Sequence, residues 1–95
     1  MEKFGMVYDK MNSNYSAIEN MMGVIYQQIQ ESPDNQQLQS ILQGLGDIAK
    51  GIISSQMDFT EAYCDPSLKD SLINKLSDKQ SVLSNALNEN KGKTL

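Results

Sequence analysis

Histidine, arginine and tryptophan are missing from this 95-residue chain, which also holds one cysteine and two prolines. Each absence removes a class of chemistry. Without imidazole there is no ordinary general base near neutrality and no nitrogen ligand for zinc. A lone thiol, Cys64, closes no internal disulfide, has no second cysteine to share a metal with and has no histidine to activate it. The reading is therefore of a protein that is not an enzyme and takes no cofactor, metal or small-molecule substrate. Eight lysines against twelve carboxylates leave a net charge of −4, the wrong sign for a sequence-independent grip on nucleic acid. Gly44-Leu45-Gly46 has the look of a phosphate loop, but no strand precedes it and the phosphate-binding lysine is not there.

Long apolar runs are also missing. No stretch approaches the ~20 residues that carry a helix across a bilayer. The first residues, MEKFGMVYDK, contain no signal-peptide core. A soluble protein without membrane insertion is expected, placed in the cytoplasm by its unpaired cysteine, with export by a route that reads no cleavable signal left open.

What the chain does have is rhythm. Phe4, Tyr8, Met11, Tyr15, Ile18, Met22, Ile25 and Ile29 follow steps of four and three, the spacing of a helix seam held against other helices. Leu38, Leu42, Leu45, Ala49, Ile52, Gln56, Phe59 and Tyr63 repeat it. Ile41, Ile48, Ile53 and Met57 widen this second stripe, which predicts contact with two neighbours. Gly44, Gly46 and Gly51 border it; they either admit another backbone closely or merely weaken the helix, at roughly 1 kcal/mol each against alanine. A third stripe, Leu68, Leu72, Ile73, Leu76, Leu83, Ala86 and Leu87, is thinner and is broken by Lys79 and Gln80.

Both prolines stand where a helix can begin. Ser32-Pro33 and Asp65-Pro66 each offer a capping side chain followed by a residue suited to the first helical position. This predicts helices over about 3–31, 33–63 and 66–88, with ends uncertain by ~2–4 residues. The expected fold is all-α: an elongated antiparallel three-helix bundle, a long hairpin of the first two helices plus a shorter third. Residues 1–88 would form one domain and 89–95 a flexible C-terminal tail.

With catalysis set aside, surface chemistry remains. Met6, Ala17, Met21 and Val24 point to a side of the first helix that its main seam does not use. Flexible, polarisable methionine suits a surface that accepts a partner. These four residues are the expected partner-binding line. The competing expectation is that the third helix covers part of it, Met21 above all. The function anticipated is a protein–protein interaction module that binds a helical segment of a partner, as an adaptor, small chaperone or inhibitor does. Two alternatives stand beside it: a self-associating structural subunit of a larger assembly, such as a small secretion-apparatus component, and an acidic inhibitor of a nucleic-acid-binding protein.

Overall fold

A computed structural model describes the backbone of residues 2–94 and the side chains of residues 3–88. Three helices follow one another: α1 (Glu2–Glu31), α2 (Gln36–Tyr63) and α3 (Pro66–Thr94). Two tight corners reverse the chain between them. The result is an up-down-up bundle drawn out to 48 × 20 × 14 Å. In backbone length α3, with 29 residues, matches α2 with 28. The flexible-tail expectation for 89–95 falls on residues whose side chains lie outside the described ones.

The two corners are built differently. At the second, Asp65 caps α3 as its sequence implied. Its carboxylate accepts from the Ser67 amide and from the Ser67 hydroxyl, both at 2.9 Å. These two donors favour the charged form and hold the Asp65 carboxyl below its ordinary range. Pro66 then occupies the first helical position, where its missing N–H costs nothing.

The first corner corrects the sequence reading. Ser32 does not cap α2 and Pro33 does not open it. The Asn35 amide donates to the Ser32 carbonyl at 3.1 Å, closing a turn with Pro33 in its second position. Asn35 is the true cap: its Oδ1 accepts from the amides of Gln37 (3.0 Å) and Leu38 (3.4 Å). Asparagine is among the best N-cap residues. Two good starts three residues apart compete, and the later one leaves Pro33 free to make the turn.

α2 is the middle of the molecule. α1 and α3 both lie along it, and among the described residues they do not pack backbone to backbone. Leu42, Gly46, Ala49, Ile53, Gln56 and Thr60 are its buried residues, spaced by steps of three and four along one face. Tyr15 and Ile29 of α1 and Leu76, Leu83 and Leu87 of α3 join that core, with Ile18, Met22, Ile25, Ile52 and Met57 around it. The width of the α2 stripe does mean two neighbours, as expected, but Ile41 and Ile48 are not what the neighbours cover; both stay exposed. Three other seam expectations also fail: Tyr63 and Leu68, which flank the second corner, and Ala86 of α3 are all exposed.

Gly46 resolves one half of the glycine question. A Cβ built there would lie 2.6 Å from Cδ1 of Leu87 and 3.0 Å from its Cδ2, so the glycine lets α3 close onto α2. Cβ atoms built at Gly44 and Gly51 meet nothing within 4 Å. Gly23, exposed on α1 with the same freedom, is the natural reference. Gly23→Ala is expected to stabilise the protein by about 0.5–1 kcal/mol, the difference in helix propensity. Gly46→Ala should lose that gain to the shift forced on buried Leu87 and fall below the Gly23 variant by about 1–2 kcal/mol. Urea unfolding of the two variants checks the order.

A polar layer interrupts the apolar core. Gln56 and Thr60 are both fully buried. Nε2 of Gln56 donates to Oδ1 of Asn12 across the α1–α2 seam at 2.7 Å. Oε1 of Gln56 and Oγ1 of Thr60 have no hydrogen-bond partner. Such a layer tends to fix register, because slipping one helix past the other by a turn would strand the amide. It does so at a cost in stability, since a buried polar atom without a partner loses its hydration uncompensated. Asn12→Ala, which orphans Gln56, should destabilise by about 1–3 kcal/mol. The double change Asn12→Leu, Gln56→Leu should leave stability equal to wild type or above it, because no buried polar atom of the pair remains. Thermal unfolding followed by circular dichroism distinguishes these outcomes.

Candidate functional site

Among the described residues, three apolar depressions between the helices stand out. The first and third lie between α1 and α2 and the second between α1 and α3, and each has a different degree of internal use.

The first sits at the end where α1 begins and α2 stops. Phe4 stacks on Phe59 with ring centroids 5.0 Å apart and planes 6° from parallel. Tyr8 and Tyr63 extend the cluster at 5.6 and 5.2 Å. Offset aromatic pairs of this kind add stability beyond the area they bury. Burial pushes the Tyr8 phenol above its usual range, and the nearby Cys64 and Asp9 charges push the same way. Cys64 itself is buried at the end of α2, its amide donating to the Thr60 carbonyl at 3.0 Å. The cysteine is a corner residue, with its backbone spent on closing the helix. The stacked rings satisfy much of their own apolar surface, and a cleft of about 340 Å³ remains between Lys3, Val7 and Tyr63.

The second depression is the groove between α1 and α3. Tyr15, Met22, Val82, Leu83 and Ala86 line it, with Glu19 on one side and Lys79 on the other. Lys79 reaches across it and sets its ammonium 3.8 Å from the centre of the Tyr15 ring. The polar break in the third stripe is therefore a bridge: the lysine stem lies along the groove and its charge meets the ring face. Burial raises the Tyr15 phenol above its ordinary value, with Glu19 adding to the shift. This groove is already strapped by the protein's own side chain.

The third depression has no such use. It runs between α1 and α2 on the flank away from α3 and is lined by Asn20, Met21, Val24, Ile25, Ile41 and Leu45. Its cavity volume is about 350 Å³. Three large apolar side chains stand around it half in water, Met21 (48% exposed), Val24 (54%) and Ile41 (48%), and a fourth, Ile48 (52%), is exposed two turns beyond Ile41 on α2. A single exposed apolar residue is ordinary on a protein surface, whereas a contiguous group of them marks an interaction site. None of the residues three or four places from these four along either helix is charged: Ala17, Ile18, Asn20, Ile25, Gln27 and Gln28 on α1; Gln37, Leu38, Gly44, Leu45, Gly51 and Ile52 on α2.

The sequence-derived residues divide between these places. Met21 and Val24 line the third depression, and Ala17 is exposed one turn earlier on the same side of α1. The expectation that α3 covers Met21 is overturned, because α3 packs on the opposite flank, beside Tyr15, Glu19 and Met22. Met6, 61% exposed, shares the direction of the line but lies about four turns away and does not border the depression. Missing from the sequence-derived set were Ile41, Leu45 and Ile48. The signal for them was present: Ile41 and Ile48 are seven residues apart, off the main seam of α2. They read as extra core because a wide stripe gives no sign of which edge is left open.

Among the described residues, no helix is long and apolar enough to cross a membrane, and no three acidic or sulfur-bearing side chains cluster where a metal ion could be held. Comparison with known proteins finds no matching family model, no matching curated protein and no matching solved structure.

Proposed function

We propose that this protein is a non-enzymatic protein–protein interaction module whose α1–α2 flank receives a helical segment of a partner protein. The observation that carries the reading is the uncharged group of Met21, Val24 and Ile41, each about half exposed and gathered along one trough, with Ile48 exposed two turns beyond Ile41. Covering a large apolar side chain that water now reaches is worth about 25 cal/mol per Å² before the costs of association. A trough between two antiparallel helices suits a third helix lying along it, with anchors at i, i+3 or i+4, and i+7. Adaptor, small-chaperone and inhibitor roles all use such a surface, and a cytoplasmic setting suits a chain whose only thiol is unpaired.

A self-associating structural subunit is the second reading. It is favoured by the absence of charge on this flank of a chain that carries −4 overall. The acidic-inhibitor reading draws on the net charge alone, with no acidic cluster to focus it. Salt separates it from the others: apolar docking survives high ionic strength, and charge-driven capture does not.

Placing a benzophenone amino acid at Val24 tests the docking reading. Irradiated in cells that produce the protein, the probe is expected to give a defined protein adduct. The same probe at exposed Asp70 of α3 should give none. Equal labelling from both positions, or no adduct from Val24, would remove the α1–α2 flank as the docking surface.

A further inference from the structure

We propose that Lys79, seated on the ring of Tyr15, is a latch that holds α3 closed against α1, and that its release lets α3 open as a lid. The backbones of α1 and α3 each pack along α2, and among the described residues they do not pack along each other. What joins the two outer helices is the groove between them. On the α3 side of that groove stand Lys79, Val82, Leu83 and Ala86. Val82 is 69% exposed and Ala86 is exposed as well, so Leu83 is the buried apolar residue of the four. Lys79 crosses the gap and sets its ammonium 3.8 Å from the centre of the Tyr15 ring. Tyr15 is buried and Lys79 half-buried, so water is partly excluded where the charge meets the ring, which strengthens the attraction. Glu19, the charged residue on the other wall, is exposed, and its pull on Lys79 is weakened by solvent.

The rest of the molecule lets α3 move as one piece. Its N-terminal cap is its own: Asp65 accepts from the amide and the hydroxyl of Ser67, and both contacts travel with the helix. Cys64 and Asp65 alone connect it to α2, which ends at Tyr63. The α1–α2 hairpin keeps its own clamps, the 2.7 Å bond from Gln56 to Asn12 and the stacking of Phe4 on Phe59. Opening therefore costs the burial of Leu76, Leu83 and Leu87 and the grip of Lys79, and leaves the hairpin standing. It uncovers Tyr15 and Met22 of α1 and the α2 surface at Gly46, on which Leu87 lies when α3 is closed. The closed state thus depends on one ammonium at the mouth of a groove. Neutralising that charge loosens α3 while the aliphatic contacts beneath it stay as they are. The latch lies across the bundle from the α1–α2 trough and is independent of what docks there.

Amide-resolved hydrogen exchange on the full-length chain, combined with proton NMR of the Lys79 side chain, tests the latch. In the wild type the ε-methylene protons of Lys79 should be shifted upfield by the Tyr15 ring current. Lys79→Gln removes the charge and keeps an unbranched side chain of similar helix preference. It should speed exchange of the α3 amides around Leu76 and Leu83 by about two- to fivefold, the range of a cation–π contact at a partly exposed site. The globally exchanging amides of α2 should speed up to the same extent, because the contact is lost in either opening. The effect of Lys79→Gln should persist in Tyr15→Phe, which keeps the ring, and in Glu19→Gln, and vanish in Tyr15→Leu. Unshifted Lys79 protons overturn the latch, and this readout stands whether or not Tyr15→Leu folds. Acceleration of the α2 amides alone also overturns it, since α3 would then open with the contact intact. So does an effect that disappears in Glu19→Gln, which would make the contact an ion pair. Amides of α3 that exchange only together with those of α2 would remove the lid.

Discussion

Burial of α2 on two sides is the constraint on which the rest of the structure depends. Among the described residues α1 and α3 approach each other only through side chains, while both backbones pack along α2, so each outer helix owes its place chiefly to a different edge of one apolar face. Ala49 and Ile53, both with no exposed surface, sit where the two edges meet. Small residues are used where the approach is closest, Gly46 against Leu87 above all. Removing the shared face would leave α1 and α3 only the side chains of their common groove and the reach of Lys79 to Tyr15. A central helix that serves two neighbours also leaves two flanks of the bundle open. One is strapped by that lysine, and the other is the bare α1–α2 trough.

Polarity is distributed in a way that specifies this arrangement. The Asn12–Gln56 pair sets the register of α1 on α2, and the aromatic stack of Phe4 on Phe59 locks the same register one end further along. Both contacts lie between α1 and α2. On the α3 side the contacts are aliphatic, through Leu76, Leu83 and Leu87, and the stripe is sparser. α1–α2 is thus the hairpin with the polar and aromatic contacts, and α3 is held by aliphatic packing together with the fit of Leu87 over Gly46. Local opening follows regions of low apolar contact, which makes α3 the element with least resistance to undocking.

Most of the fold was legible in the sequence because heptad spacing and proline placement are local signals. Steps of three and four from Phe4 to Ile29 predict a long helix, and Asp65-Pro66 predicts a helix start. Ser32-Pro33 was misread for a physical reason: two capping residues, Ser32 and Asn35, stood three positions apart, and the later one makes the cap while Ser32 and Pro33 form the turn. The candidate surface was half legible. Met21 and Val24 were visible as apolar residues off the seam of α1. Ile41 and Ile48 were hidden inside a stripe whose width was right and whose covered edge could not be known before the helices were placed. Lys79 was legible only as an interruption, because its partner, Tyr15, is sixty-four positions away in sequence and meets it only in the folded bundle.

Native-state hydrogen exchange, read residue by residue at increasing denaturant, tests the central role of α2 most directly. Amides around Ala49, Ile53 and Gln56 should exchange last, and only through global unfolding. Those of α3 around Leu76 should open earlier as a separate unit while the α1–α2 hairpin stays protected. Slower exchange in α1 and α3 than in the middle of α2, or opening of α2 ahead of its neighbours, would contradict the account.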